Sequence, residues 1–434
     1  MNKKKSFGEW ARSVWKSEGM QSVLSSLLCI LAGLVIGLVV MLIIALISER
    51  MSVLDAFSGL AILLCGPFSS GSASYINMNL GDMIFYAAPL IMTGLSVAIA
   101  FKTGLFNIGA AGQFLMGTAG SLFVALNFPT EGGAESVLVW LIALITGVLL
   151  GMIWGALPGL FKAFFGVNEV IVCIMTNWIA ANLVSWFFST KPGLINSGHG
   201  KSGYLITTAM TNNKTPKLGL DKIFSGSYLD MGILIAVALA IVVYIVMNKT
   251  TFGYELKACG FNRNAAKYAG MNEKRNIILS MAIAGGLAAL GGALYYLNPG
   301  IEFKFSSAYS KLPDYGFNGS PVALLASNNP IGVIFSGIFL RYLGQGGDNL
   351  VSAGYNRYIS DIIIALIIYF AGFSKLIRTM LHAKKKKAAE AAVVPAVPVD
   401  PTPQDVAPDA SDEQEPQDAP AEPQTPDENE EKEG

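Results

Sequence analysis

Long apolar runs separated by short polar segments dominate the first 380 residues of the chain. The first run, residues 22–48, has 27 residues without a charge. It would make about 40 Å of helix, which is enough to cross a bilayer. The pattern predicts an all-α polytopic membrane protein with about ten transmembrane helices. The predicted spans are 22–48, 82–101, a third that ends at 126, 136–160, 170–188, 230–247, 276–297, two shorter runs at 315–326 and 331–343, and 359–373.

Two polar breaks in this pattern resemble each other. Gly104-Leu-Phe-Asn-Ile-Gly-Ala-Ala-Gly-Gln113 and Gly316-Phe-Asn-Gly-Ser-Pro321 both place Phe-Asn beside glycines between apolar runs. They predict two interrupted segments in an internal two-fold repeat. A matched pair of this kind points to a translocation path, because non-helical backbone at membrane depth needs protein or water around it. The candidate path residues are Phe106, Asn107, Gln113, Asn177, Phe317 and Asn318.

The alternative for both breaks is close helix packing through glycine, with the amides bonded to neighbouring groups. Glycines also punctuate the run 276–297, at Gly285, Gly286, Gly291 and Gly292, and they predict close packing of that helix.

The zero net charge of the 434 residues averages two unlike parts. Residues 388–434 hold fourteen acidic residues, one lysine and nine prolines, which leaves 29 basic and 16 acidic residues before them. We predict a cytoplasmic segment at 1–21, a transmembrane domain at 22–380 and a disordered tail at 381–434, lysine-rich and then acidic and proline-rich. The tail is either a passive spacer or a partner-binding segment. The basic flanks place both termini in the cytoplasm.

Several classes of chemistry find no support in the residues. The four cysteines and two histidines show no metal-ligand spacing, so no metal or cofactor is expected. Gly200-Lys201-Ser202 ends like a phosphate-binding loop, but Ile195 stands where that loop needs glycine. We find no catalytic constellation and no carboxylate or histidine at mid-span, where an ion-coupled carrier often has one. An amide-rich path suits a neutral, hydrogen-bonding solute.

Residues 249–275 form a polar segment between the sixth and seventh runs, with four Lys and two Arg against two Glu. By the predicted topology it lies in the cytoplasm. On charge alone it is an ordinary positive-inside loop. Its stretch 262–269 is long enough for about two helical turns, which also allows a surface built for a partner.

Three stretches resemble the membrane permease subunits of bacterial ABC importers, in the family of branched-chain amino acid and ribose-type permeases. They are Gly104–Gln113, Phe165-Gly-Val-Asn-Glu-Val-Ile171 and Thr251–Met271. The first two resemble the nucleoside branch. The resemblance covers about residues 20–380. It implies a type II importer-like fold in the bacterial plasma membrane that imports a nucleoside-like solute.

The resemblance also implies partners. These are a second permease copy or a paralogue, cytoplasmic ATPase subunits that hydrolyse the ATP, and an external lipoprotein that binds and delivers the solute. Under this interpretation the chain is a transport subunit and not itself an enzyme. A permease for a ribose-like sugar, or an ion-coupled carrier or facilitator, remains the alternative.

The segment 249–275 would then hold the helix that couples the permease to its ATPase. Ala265-Ala266-x-x-x-Gly270 resembles part of the loop signature of importer permeases, although Asn264 stands where that signature has Glu. Lys102 and Ala111 also depart from the Arg and Glu of the nucleoside branch, which leaves the sugar alternative open. Basic side chains would pair with an acidic rim on the ATPase. The candidate coupling residues are Gly253, Leu256, Gly260, Asn262, Arg263, Ala265, Ala266, Lys267, Ala269 and Gly270.

Overall fold

The computed structural model describes residues 18–47, 52–69, 71–194, 203–206, 212–304, 312–352, 355 and 357–373. The chain divides into two units, Met1–His382 and Ala383–Gly434. The second unit, and with it the predicted acidic tail, lies outside the described residues. Most of the predicted N-terminal segment 1–21 lies outside them too.

The described part of the chain is mainly helical, and Tyr204 and Phe303 form an isolated antiparallel β-bridge in it. Two short 3₁₀ turns cover Gly66–Ser69 and Pro192–Leu194. The α-helices are α1 Glu18–Ile47, α2 Val53–Cys65, α3 Ala73–Lys102, α4 Ala110–Asn127, α5 Ala134–Phe165, α6 Glu169–Ser189, α7 Leu220–Ile223, α8 Gly232–Lys249, α9 Thr251–Phe261, α10 Arg263–Tyr268, α11 Glu273–Tyr296, α12 Asp314–Leu325, α13 Pro330–Ser352 and α14 Arg357–Gly372.

Five of these helices, α3, α5, α6, α8 and α11, are long and apolar enough to cross a membrane. A sixth span results if α12 and α13, which bend by 120° at their junction, count as one. The chain is therefore an all-α membrane protein. The count by length and composition within the described residues is thus five or six, below the ten predicted.

Helix α11 packs against α3, α4 and α5, and glycines set its distance from them. A Cβ atom added to Gly285 would lie 2.8 Å from Cα of Gly155, and a Cβ on Gly117 would lie 2.5 Å from Cα of Ala289. Real Cβ atoms do not approach neighbours this closely, so only glycine allows these backbones to touch. The predicted close packing of the glycine-rich run is confirmed.

The interruption between α3 and α4 lies at residues 103–109, as the sequence predicted. The second predicted interruption, at 316–321, is wrong, because α12 continues through these residues. The helix ends at Ala326, at the break that the sequence predicted between the runs 315–326 and 331–343. Ser327 and Asn328 adopt positive φ angles of 50° and 58° there. Two successive left-handed residues cannot continue a right-handed helix. Pro330 then begins α13, in a position that suits proline.

Candidate functional site: the segment between α8 and α11

Residues 249–275 fold into two short helices, α9 and α10, and side-chain caps set where each begins. The Thr250 hydroxyl accepts a hydrogen bond from the Gly253 N–H at 3.1 Å. The Asn262 side-chain carbonyl accepts one from the Ala265 N–H, also at 3.1 Å. Each cap satisfies a backbone donor that the first helical turn leaves free. The predicted two turns correspond to α10, and α9 is an additional helix.

Gly270 ends α10 in a left-handed conformation, with φ +80°. Its N–H donates to the Lys267 carbonyl, and the Met271 N–H donates to the Ala266 carbonyl, each at 3.0 Å. No atom lies within 4 Å of where its Cβ would be, so glycine serves the backbone angle here and not a close contact.

One face of the segment packs into the protein. Leu256 is 1% exposed and Ala266 is 3% exposed, and Gly253 is buried against the backbone at the end of α8. Gly260 and Arg263 are half-buried. Of the two candidate alanines, Ala266 packs its side chain inward and Ala265 is exposed.

The segment also touches the interruption between α3 and α4. A Cβ on Gly260 would lie 3.0 Å from the Gly104 nitrogen and still closer to the Lys102 carbonyl oxygen. Next to this contact, the Thr103 and Ser280 hydroxyls are hydrogen-bonded across to α11. The backbone of α9 at Gly260 thus lies directly against the backbone at the end of α3.

The opposite face of the segment is exposed. It carries five of the predicted residues, which are Asn262, Ala265, Lys267, Ala269 and Gly270. It also presents two aromatic side chains that the sequence reasoning missed, Phe261 at 91% exposed and Tyr268 at 94% exposed. The available signal was the presence of large aromatic residues in a segment predicted to lie outside the membrane. Aromatic residues are enriched at protein interfaces, so exposed aromatics mark a candidate docking surface.

The predicted path residues near the first interruption form a buried amide cluster. The Asn107 amide donates to the Ser96 hydroxyl at 2.9 Å and to the Gln113 carbonyl at 2.7 Å, and Gln113 donates back to Asn107 at 3.0 Å. The Asn177 side chain accepts from the Gly112 N–H and donates to the Ile108 carbonyl. These bonds have the form that the packing alternative expects. Phe106 lies beside the cluster and stacks on Phe101 at 5.1 Å.

The other two predicted path residues, Phe317 and Asn318, lie on α12 with exposed side chains. The glycines on either side of them make the packing contacts, Gly316 against Ala111 and Gly319 against the backbone of Thr93. The structure therefore brings Asn107, Gln113 and Asn177 together and leaves Phe317 and Asn318 apart from their hydrogen-bonded network. Within the described residues no group of three or more His, Cys, Asp or Glu side chains is placed to hold a metal ion.

Comparison with known proteins identifies the family of the chain. Residues 79–372 match the family described as branched-chain amino acid transport system / permease component. The chain belongs to this family of transport-system permease components.

Among individual relatives, the chain is 36% identical to the guanosine ABC transporter permease protein NupP of Bacillus subtilis, over 78% of this chain and 95% of the relative. It is 37% identical to the nucleoside ABC transporter permease protein NupB of Lactococcus lactis, over 72% and 84%. It is 32% identical to the glucose ABC transporter permease protein TsgB13 of Haloferax volcanii, over 67% and 75%. No solved structure matches the chain.

Proposed function

We propose that this chain is the membrane-spanning subunit of an ATP-driven importer, and that it passes a nucleoside-like solute received from an external binding protein. The observation that carries the proposal is its similarity, over most of its length, to permeases that are named for guanosine and for nucleosides. ATP hydrolysis takes place on a partner subunit. The chain works beside a second permease copy or a paralogue.

The exposed face of α9 and α10 is the surface for the ATPase. Phe261 and Tyr268 supply apolar area that is free to be buried, and Lys267 beside them supplies positive charge. Asn264 stands where other permeases carry Glu, so the contact is made by aromatic and basic groups and not through an acidic anchor. The inward-facing Leu256 and Ala266 hold the surface to the rest of the chain.

The contact between Gly260 and the end of α3 gives this surface a route to the solute path. When the ATPase moves α9, the backbone at Lys102 and Gly104 must move with it, because no side chain separates the two segments. The amide cluster around Asn107 lies on the next residues of the same interruption. Asn107, Gln113 and Asn177 then exchange their present hydrogen bonds for bonds to a polar solute as the path opens.

The proposed topology has both termini and residues 249–275 in the cytoplasm, and about ten crossings in two related halves. The six basic residues between 249 and 275 support it, because cationic residues concentrate in short cytoplasmic loops.

Uptake into membrane vesicles tests the proposal. Vesicles that contain this chain, its ATPase and its binding protein accumulate labelled guanosine when ATP is supplied, and omission of any one component abolishes accumulation. Uptake that a sodium or proton gradient drives without ATP would contradict the proposal and support a secondary carrier.

The similarity to a permease named for glucose favours a sugar as the second candidate solute. Competition in the same vesicles separates the two candidates. Excess inosine suppresses guanosine uptake, whereas excess glucose or ribose does not. The reverse pattern of competition would assign the chain to sugar import.

A further inference from the structure

Four tyrosines from distant parts of the sequence meet inside the helical bundle. They are Tyr86 on α3, Tyr228 just before α8, Tyr295 on α11 and Tyr315 on α12, and together we name them the tyrosine cluster. The ring centres are 6.3 Å apart for Tyr86 and Tyr228, 6.1 Å for Tyr86 and Tyr295, and 4.8 Å for Tyr295 and Tyr315. Aromatic pairs interact favourably at these separations.

Two phenylalanines support the cluster from within the protein. Phe85, which is 2% exposed, lies nearly parallel to Tyr295 at 5.8 Å, and Phe114, which is fully buried, lies nearly parallel to Tyr315 at 6.0 Å. The four tyrosines differ from them because each keeps exposed surface, up to 37% at Tyr228. The cluster is therefore a set of aromatic rings that are fixed by packing and still accessible.

Arg341 on α13 extends the cluster with a cationic group. Its guanidinium carbon lies 4.6 Å from the ring centre of Tyr86. Nη2 donates to Asp348 at 2.8 Å and to Gln345 at 2.9 Å, so the side chain is held in place. The buried Nε atom has no hydrogen-bond partner. An unpaired buried donor is costly and calls for an explanation, and an arginine between transmembrane helices commonly marks a ligand path.

We propose that the tyrosine cluster and Arg341 form a binding site for the base of a nucleoside. A base has a planar π face that stacks on tyrosine rings, and it has carbonyl and ring-nitrogen acceptors for the free Nε–H of Arg341. A sugar alone offers no planar face of this kind. This proposal specifies the base as the part of the solute that is recognised, and it rests on the proposed function.

The location of the cluster suits solute entry. Tyr295 lies one residue before the end of α11, whose first turn adjoins the segment 249–275. Tyr228 likewise precedes α8, whose last residue is Lys249. The cluster is thus at the end of the bundle opposite the proposed ATPase surface. That end is where an external binding protein would deliver its solute.

Equilibrium binding of labelled guanosine tests the site. The probe is titrated onto the full-length chain in nanodiscs, assembled with its ATPase and second permease subunit. Tyr295→Leu, which removes a stacking surface, and Arg341→Lys, which keeps the charge but lacks the Nε donor, each weaken guanosine binding about tenfold or more. Tyr75→Leu is the matched control, because Tyr75 is on the same helix as Tyr86 but is 61% exposed and outside the cluster. It leaves guanosine binding unchanged, and ribose does not compete.

Three results would overturn the site. They are wild-type guanosine affinity in both variants, competition by ribose equal to that by unlabelled guanosine, and no guanosine binding to a wild-type complex that still imports guanosine with ATP. The first and the third leave the proposed function intact, whereas equal competition by ribose leaves ATP-driven import intact but assigns recognition to the sugar. Failure of that function has a different signature, namely no ATP-dependent uptake by the wild-type complex.

Discussion

Replacement of Phe261 by alanine separates docking from folding in the segment 249–275. The side chain is 91% exposed, so the folded permease loses almost no packing when it is truncated. Burial of a phenylalanine side chain stabilises by about 1.5–3 kcal/mol. If the ATPase covers the side chain, Phe261→Ala therefore weakens docking by about 1.4–2.7 kcal/mol, or roughly tenfold to a hundredfold in Kd.

The assay is the affinity of the purified ATPase for the permease in nanodiscs, measured together with the thermal unfolding midpoint of the permease. Leu256→Ala is the matched control, because Leu256 belongs to the same helix but is 1% exposed. Its truncation costs about 2–5 kcal/mol of folding free energy and lowers the midpoint. Phe261→Ala lowers the ATPase affinity and leaves the midpoint unchanged.

An unchanged ATPase affinity in Phe261→Ala would refute this reasoning. In that event the side chain lies in the lipid headgroup region instead, where aromatic residues are also enriched. Tyr268→Ala tests the same surface a second time in the ATPase affinity assay, because Tyr268 is 94% exposed.

Three further substitutions test buried or half-buried positions in the segment 249–275 and in the amide cluster. Ala266→Asp buries an unpaired carboxylate, destabilises the permease by about 3 kcal/mol and lowers its unfolding midpoint. Ala269→Asp is the control on the exposed face, and it leaves the midpoint unchanged. Gly260→Ala forces α9 away from the end of α3 at a cost of about 1–3 kcal/mol. We therefore expect less guanosine uptake per ATP hydrolysed. An unchanged ratio would exclude this contact as the route from the ATPase surface to the solute path. Asn107→Leu leaves the Gln113 side chain without its hydrogen-bond partner and costs about 1–3 kcal/mol of folding free energy. We expect guanosine uptake to fall more than expression of the protein. Equal losses of uptake and expression would favour the packing alternative.

The sequence was sufficient for the all-α membrane class and for the close glycine contacts of α11. A charge-free run of more than twenty residues has few alternatives to a transmembrane helix. Gly285 and its neighbours on α11 were identifiable because small residues are the usual means of close packing in a membrane.

The inward and outward faces of the helices were much harder to predict. In a membrane protein the lipid-facing side and the packed side are both apolar, so no alternation distinguishes them. The same difficulty arises in the segment 249–275, where Ala265 and Ala266 are identical in sequence but one is exposed and the other buried. The interruption predicted at 316–321 failed for a related reason, because Gly316 and Gly319 signal close packing and not a break.

The tyrosine cluster could not be found from the sequence. Its four members lie between positions 86 and 315 on separate elements, and no spacing rule connects them. Tertiary packing alone brings them together. The role of Arg341 could not be predicted from the sequence either, because it depends on the contact with the Tyr86 ring and on the unpaired Nε atom.

The sidedness of ATP use is the most direct test of the central claim. In sealed proteoliposomes, solute and binding protein are added outside and ATP is either trapped in the lumen or added outside. We predict that guanosine accumulates in the lumen only when ATP is trapped there with the ATPase and the segment 249–275. Accumulation without ATP under an ion gradient, or with ATP on the same side as the solute, would contradict it.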